Sequence, residues 1–160
     1  MTSPAQHTHL TAVVFDWAGT ILDFGSCAPM GAFVRLFEQF GIDLSIAEAR
    51  GPMGMAKWDH IHALGMLPRI AAQWEMRHGR SFSTADVDHL YEVFTPMNAA
   101  VVADFADFIP GALDMVGTLR ARGLKIGSTT GYNRPIMEVL APIAAAGGYA
   151  PDNLVCAGDL

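Results

Sequence analysis

The chain has 160 residues, 51% hydrophobic and 16% charged, with a formal net charge of −6 at pH 7. That is about one domain's length with enough apolar residues to bury a sizeable core, so a globally disordered chain is excluded. The acidic balance and the absence of a Lys/Arg run exclude nucleic acid as the main partner, and no apolar run reaches the ~20 residues of a membrane span.

The polar segment Met1–Leu10 lacks the apolar core of a secretory signal, so the expectation is a soluble, cytoplasmic protein. Ala12 to Phe15 then reads as a buried strand that stops at Asp16, where Trp17-Ala18-Gly19-Thr20 turns the chain away. Asp23 to Pro29 reads as a loop, with Gly25, Ser26 and Pro29 as breakers. Phe33, Val34, Phe37 and Phe40 recur at helical spacing within Met30–Phe40, which Gly41 ends. Ser45 with Glu48 forms a capping box that opens a short helix to Arg50. Gly51-Pro52-Met53-Gly54 breaks it, and further helices are expected over Met55–Leu64, Pro68–His78 and Ser83 to about Met97.

From Phe108 the pattern alternates. An amphipathic helix, Ala112–Arg122, ends at Gly123. Leu124–Gly127 is a second strand running into the hydroxyl-rich turn Ser128-Thr129-Thr130-Gly131-Tyr132. Asn133 caps a helix over Pro135–Ala145, and Leu154–Ala157 is a third strand. Alternating helices and strands specify a parallel sheet. The expected fold is therefore α/β, a Rossmann-like parallel-sheet core built from residues 1–24 and 106–160, with an all-helical cap over 25–105 inserted into it.

A carboxylate at the tip of a central parallel strand lies in the crevice where open α/β sheets bind ligands. Asp16 on one tip and hydroxyls with backbone N–H groups on another suit phosphoryl chemistry, Asp16 as nucleophile and Thr130 as the hydroxyl that holds the phosphoryl group. Gly19 and Gly131 would let the backbone approach phosphoryl oxygens closely. Cys27 and Cys156 form no CxxC or zinc pattern, and His7, His9, His62, His78 and His89 have no ligand-like spacing. Trp58 and Trp74 read as helical-core aromatics, and Trp17 as a side chain that keeps water from the nucleophile.

Four blocks in order carry a resemblance: Phe15-Asp16-Trp17-Ala18-Gly19-Thr20; Cys27-Ala28-Pro29; Arg50-Gly51-Pro52-Met53-Gly54 followed by Lys57 and His60; and Ile126-Gly127-Ser128-Thr129-Thr130-Gly131-Tyr132. The chain resembles the haloacid dehalogenase superfamily, and within it the phosphonatase branch, which cleaves carbon–phosphorus bonds. The resemblance implies that Asp16 attacks phosphorus and, with the Ala18 carbonyl, touches Mg²⁺. Phosphatases of the superfamily carry an acidic residue where Ala18 stands, and alanine cannot protonate a leaving alcohol. Lys57 then supplies the missing help, because a protonated imine with the substrate aldehyde accepts the electrons of the breaking bond. His60 would relay protons, and Met53, Gly54, Cys27, Gly131 and Tyr132 would bind substrate. Met53, Lys57 and His60 share one helical face if their helix starts early.

The same pattern includes a basic residue from a third motif and an acidic motif on a fourth strand, neither identifiable before Leu160. Asp159 follows the third strand too closely for the latter role. The expectation is the amino-terminal part of a longer enzyme, its sheet left with an exposed edge. The implied substrate is a small aldehyde-bearing phosphonate, and the apolar first helix suggests a homodimer. Two other readings remain open: a 2-haloacid dehalogenase, whose halide also leaves without an acid, and an inactive fragment acting as a binding module.

Overall fold

The computed structural model describes residues 10–159; the readings of residues 1–9 and of Leu160 lie outside them. Three parallel strands, β1 (Ala12–Phe15), β2 (Lys125–Thr130) and β3 (Asn153–Cys156), pair in the order β1-β2-β3. Between β1 and β2 the chain is helical: α1 (Cys27–Gln39), α2 (Ile46–Arg50), α3 (Lys57–Gly65), α4 (Pro68–His78), α5 (Thr84–Val102) and α6 (Ala112–Ala121). Helix α7 (Arg134–Ala146) joins β2 to β3. This is the α/β parallel-sheet architecture expected from the alternation.

Several boundaries move for local reasons. Helix α1 begins at Cys27, inside the expected loop, because the buried Asp23 carboxylate accepts the Cys27 N–H at 2.7 Å and the Ala28 N–H at 3.1 Å. Pro29 falls in the first turn, where a missing N–H costs nothing. Helix α5 continues past Met97 to Val102, with Pro96 on its exposed side. Helix α3 begins at Lys57 rather than Met55, so Met53 is not on its face. Strand β2 takes in Ser128, Thr129 and Thr130, which leaves the turn to Gly131 and Tyr132.

Strand β1 is not the buried strand its apolar run suggests: its residues alternate between exposed and half-buried, and Val14 is 60% exposed. Among the described residues it pairs only with β2. Burial is instead concentrated among the helices, where the Phe33 ring stacks on Phe94 at 4.5 Å and on the His60 imidazole at 4.0 Å. Phe33 and Phe37 are fully buried within the chain, so they leave no free apolar face at those positions for a second copy. Trp74 is buried as expected, whereas Trp58 is half-buried and donates its indole N–H to Asp88 at 2.7 Å. No described helix is long and apolar enough to cross a membrane.

The chain leaves and re-enters the sheet region through adjacent segments. Leu22 bridges Phe108 antiparallel, the Asp23 N–H donates to the Asp107 carbonyl at 3.0 Å, and the Ile109 N–H donates to the Ile21 carbonyl at 2.9 Å. Helix α5 packs along α7. There Asn133 caps α7 and its amide donates to Tyr91 Oη at 2.7 Å and Thr95 Oγ1 at 3.1 Å, so the turn after β2 is tied to the helices.

Candidate active site

The register Phe15↔Ser128 places Asp16 just beyond the end of β1, beside the last residues of β2. Ser128 is buried and committed: its hydroxyl donates to the Phe15 carbonyl at 2.9 Å and lies 2.9 Å from Tyr149 Oη. It braces the strand tips and faces no ligand. Thr130 lines the cleft, and its Oγ1 accepts the Tyr132 N–H at 3.1 Å, which leaves the hydroxyl proton free to donate.

The Gly-Thr turn after Asp16 is held by two carbonyls, that of Leu22 accepting the Gly19 N–H at 2.8 Å. Trp17 C=O accepts the N–H groups of Thr20, Ile21 and Leu22 at 3.0, 2.9 and 3.3 Å. Gly19 sits at φ 85°, and a Cβ there would meet Ser26 Oγ at 2.6 Å, so glycine is required by both backbone and space. Trp17 itself is fully buried, with its indole edge-to-face on Tyr149.

Lys57 opens α3 and reaches into the same cleft, which Asp16, Ala18, Met53, Gly54, Thr130 and Tyr132 also line. It is 6% exposed, and among the described residues no carboxylate comes within 4.0 Å of its amine. The ammonium's neighbours are aromatic faces, with Nζ 5.0 Å from the Tyr132 ring centre and 5.9 Å from that of Phe33. Burial lowers its pKa from 10.5 to about 8, against a smaller opposing pull from Asp16. Desolvation therefore outweighs the carboxylate, a balance that sequence alone leaves open.

His60 is not a cleft residue. Its ring lies between Phe33 and α2, and its Nε2–H donates to the Ala49 carbonyl at 2.8 Å, while Nδ1 is buried without a partner. Burial, with the nearby Lys57 charge as a lesser cause, lowers its pKa to about 4 despite the Ala49 bond, so the ring is neutral. Cys27 also stays outside the lining: it is exposed and donates its thiol to the Phe24 carbonyl at 3.5 Å. Pro29, two residues further into the same turn, takes a place in the wall, as does Met55; neither is among the expected site residues.

Gly131 lines the cleft and is also constrained from the helical side. A Cβ on it would stand 2.9 Å from the Met55 carbonyl oxygen and 3.8 Å from that of Gly54. Its missing side chain makes room for the segment that delivers Lys57. Tyr132 is 1% exposed, its hydroxyl has no hydrogen-bond partner among the described residues, and burial followed by the Asp23 charge pushes its pKa up. Asp159 is structural: it accepts the Cys156 N–H at 2.7 Å and two bonds from Arg134 at 2.9 and 2.8 Å.

For a divalent cation, no group of three or more acidic, histidine or cysteine side chains gathers among the described residues. The Asp16 carboxylate is an exposed hard-oxygen donor, and the Ala18 carbonyl takes none of the turn's hydrogen bonds. One carboxylate, one free carbonyl and room for waters and a phosphoryl oxygen suit magnesium, which keeps several waters and few protein ligands.

A parallel sheet with an aspartate at the first strand tip and a threonine at the second defines a class, and the family model for haloacid dehalogenase-like hydrolases matches residues 10–160. The chain belongs to that family. Within it, the chain is 54% identical over 151 residues to phosphonoacetaldehyde hydrolase of Paraburkholderia phytofirmans, covering 94% of this chain and 57% of that protein. It is 51% identical over 152 residues to the Klebsiella pneumoniae phosphonoacetaldehyde hydrolase, covering 94% and 56%. The crystal structure of a phosphonoacetaldehyde hydrolase-like protein from Oleispira antarctica superposes with a TM-score of 0.92 at 40% identity, over 94% of this chain and 55% of that one. The chain thus spans somewhat more than half the length of the relatives it matches.

Proposed function

We propose that this chain carries the nucleophile and the amine of a carbon–phosphorus bond hydrolase whose substrate is phosphonoacetaldehyde. The observation that carries the reading is Lys57: an amine under aromatic rings, without an ion-pair partner among the described residues, sharing a cleft with Asp16. With a pKa of about 8 rather than 10.5, its neutral, nucleophilic fraction at pH 7 rises roughly 300-fold.

Lys57 attacks the aldehyde carbon, and loss of water leaves a protonated imine. Asp16 then attacks phosphorus. The C–P electron pair moves into the imine to give an enamine, and the phosphoryl group passes to the carboxylate. Water releases phosphate from Asp16, and protonation and hydrolysis of the enamine return acetaldehyde and the free amine. Thr130 and the Gly131 backbone hold phosphoryl oxygens. Magnesium, held by Asp16 and the Ala18 carbonyl, would offset charge on the phosphoryl group. Met53, Gly54 and Tyr132 wall the substrate. Cys27 and His60 stand outside the lining, and His60 enters no proton-transfer step here because its Nε2–H is committed to Ala49.

In this reading the helical segment works as a cap over the strand tips. The paired connections at Leu22 and Phe108 and the fit of Met55 against Gly131 support it. A 2-haloacid dehalogenase would have no use for a buried amine in the cleft. Borohydride reduction in the presence of phosphonoacetaldehyde is expected to fix a label on the peptide containing Lys57, and Lys57→Ala is expected to abolish it. An unlabelled parent protein would remove the proposal.

A further inference from the structure

Three residues on α5, Tyr91, Thr95 and Asn98, stand at i, i+4 and i+7 and so share one face. The first two are occupied by the turn after β2: Asn133 donates to both Tyr91 Oη and Thr95 Oγ1. Thr95 in turn donates to the Tyr91 carbonyl at 3.1 Å.

Asn98, the third, is fully buried with neither amide atom hydrogen-bonded among the described residues. A buried primary amide without partners costs on the order of 1–3 kcal/mol, so its presence on this face of α5 calls for a use. The residue next to Asn133 is Tyr132, whose hydroxyl is the other unpartnered buried group at this place. Asn98 lies close enough to favour the ionised phenol, short of an aligned hydrogen bond. The opposite end of Tyr132 is its ring face, 5.0 Å from Lys57 Nζ.

We infer that Asn98 is a positioning residue: from α5 it holds the Tyr132 hydroxyl, and so keeps the ring face against the Lys57 amine. Tyr91 and Thr95 fix the backbone of the same turn through Asn133, and Asn98 fixes the side chain. The inference rests on the reading of Lys57 as the reactive amine, but its test needs no substrate. The titratable groups around the pair are Asp16 at the tip of β1, His60 on α3, and Asp23 beside α1.

The chain has two lysines, Lys57 and Lys125, so protein labelled with [¹³C]lysine gives two Cε–Hε signals. The Tyr132 ring current is expected to displace the Lys57 signal upfield, with the exposed Lys125 at the start of β2 as the reference in the same sample. Asn98→Leu should remove most of that displacement, Tyr132→Phe, which keeps the ring and deletes the hydroxyl, should do the same, and the double variant should lose no more. A role in packing alone would lower stability and leave the displacement in place. A retained displacement in folded Asn98→Leu overturns the inference; should that variant not fold, a retained displacement in Tyr132→Phe does so. Failure of aldehyde trapping with these shifts intact would strike the functional reading separately.

Discussion

Lys57→Met is expected to give a protein more stable than the parent by about 2–3 kcal/mol at pH 7, and one that forms no aldehyde adduct. The amine is almost fully buried and titrates at about 8 when folded against 10.5 for a solvated lysine, because desolvation disfavours the ammonium more than Asp16 favours it. Folding therefore expels a proton between those values, and the unfolded chain binds more protons there. Stability from this group is fully present above 10.5 and is lost as pH falls through about 8, by roughly 3 kcal/mol for a shift of this size. Methionine has similar length and no charge to desolvate. Urea unfolding at pH 7 and above pH 10 checks this: the gap between variant and parent should be widest at pH 7 and shrink at high pH. A functional residue held at the expense of stability behaves in this way.

Gly131→Ala is expected to lower the rate of adduct formation at Lys57 by roughly 10–100-fold and to destabilise the fold by about 1–3 kcal/mol. The new methyl would sit 2.9 Å from the Met55 carbonyl oxygen, a backbone atom that cannot swing aside as a side-chain tip can. The segment Gly54–Ala56 has to retreat, and Lys57 follows it. A displacement well under an ångström at a reacting group is enough for losses of this order. Gly117→Ala in α6, where an added Cβ meets nothing within 4 Å, is the control and should be neutral or slightly stabilising. Single-turnover trapping rates and urea midpoints read both effects.

The difference between these two glycines marks where sequence reading stops. Local chemistry was legible: the Ser45–Glu48 box, Pro68 at the start of α4 and the Asn133 cap all lie where residue patterns place them. The strand tips bearing Asp16 and Thr130 were legible too, because a carboxylate and a hydroxyl ending two apolar runs have few other uses in a parallel sheet. Contacts between distant segments were not. Nothing near Gly131 in sequence announces the Met55 carbonyl. Nothing near His60 announces that Ala49 and Phe33 occupy it, which is why it falls outside the cleft. The capping of α1 by Asp23 across the left-handed Ser26, at φ 51°, hides the helix start behind apparent breakers. The exposure of β1 depends on how many strands flank it, which its own four residues do not encode.

The haloacid dehalogenase-like frame accounts for the aspartate and the threonine, and the amine is what distinguishes this cleft. In the proposed reaction its chemistry depends on being both dry and unpaired. Either a closer carboxylate or a wetter pocket would return the charge and extinguish the nucleophile.

Titration of the Lys57 Cε–Hε signal in [¹³C]lysine-labelled protein tests that dependence directly. A midpoint near pH 8 is the predicted result. A midpoint at or above about 10, the ordinary range for a solvated lysine, would contradict the account.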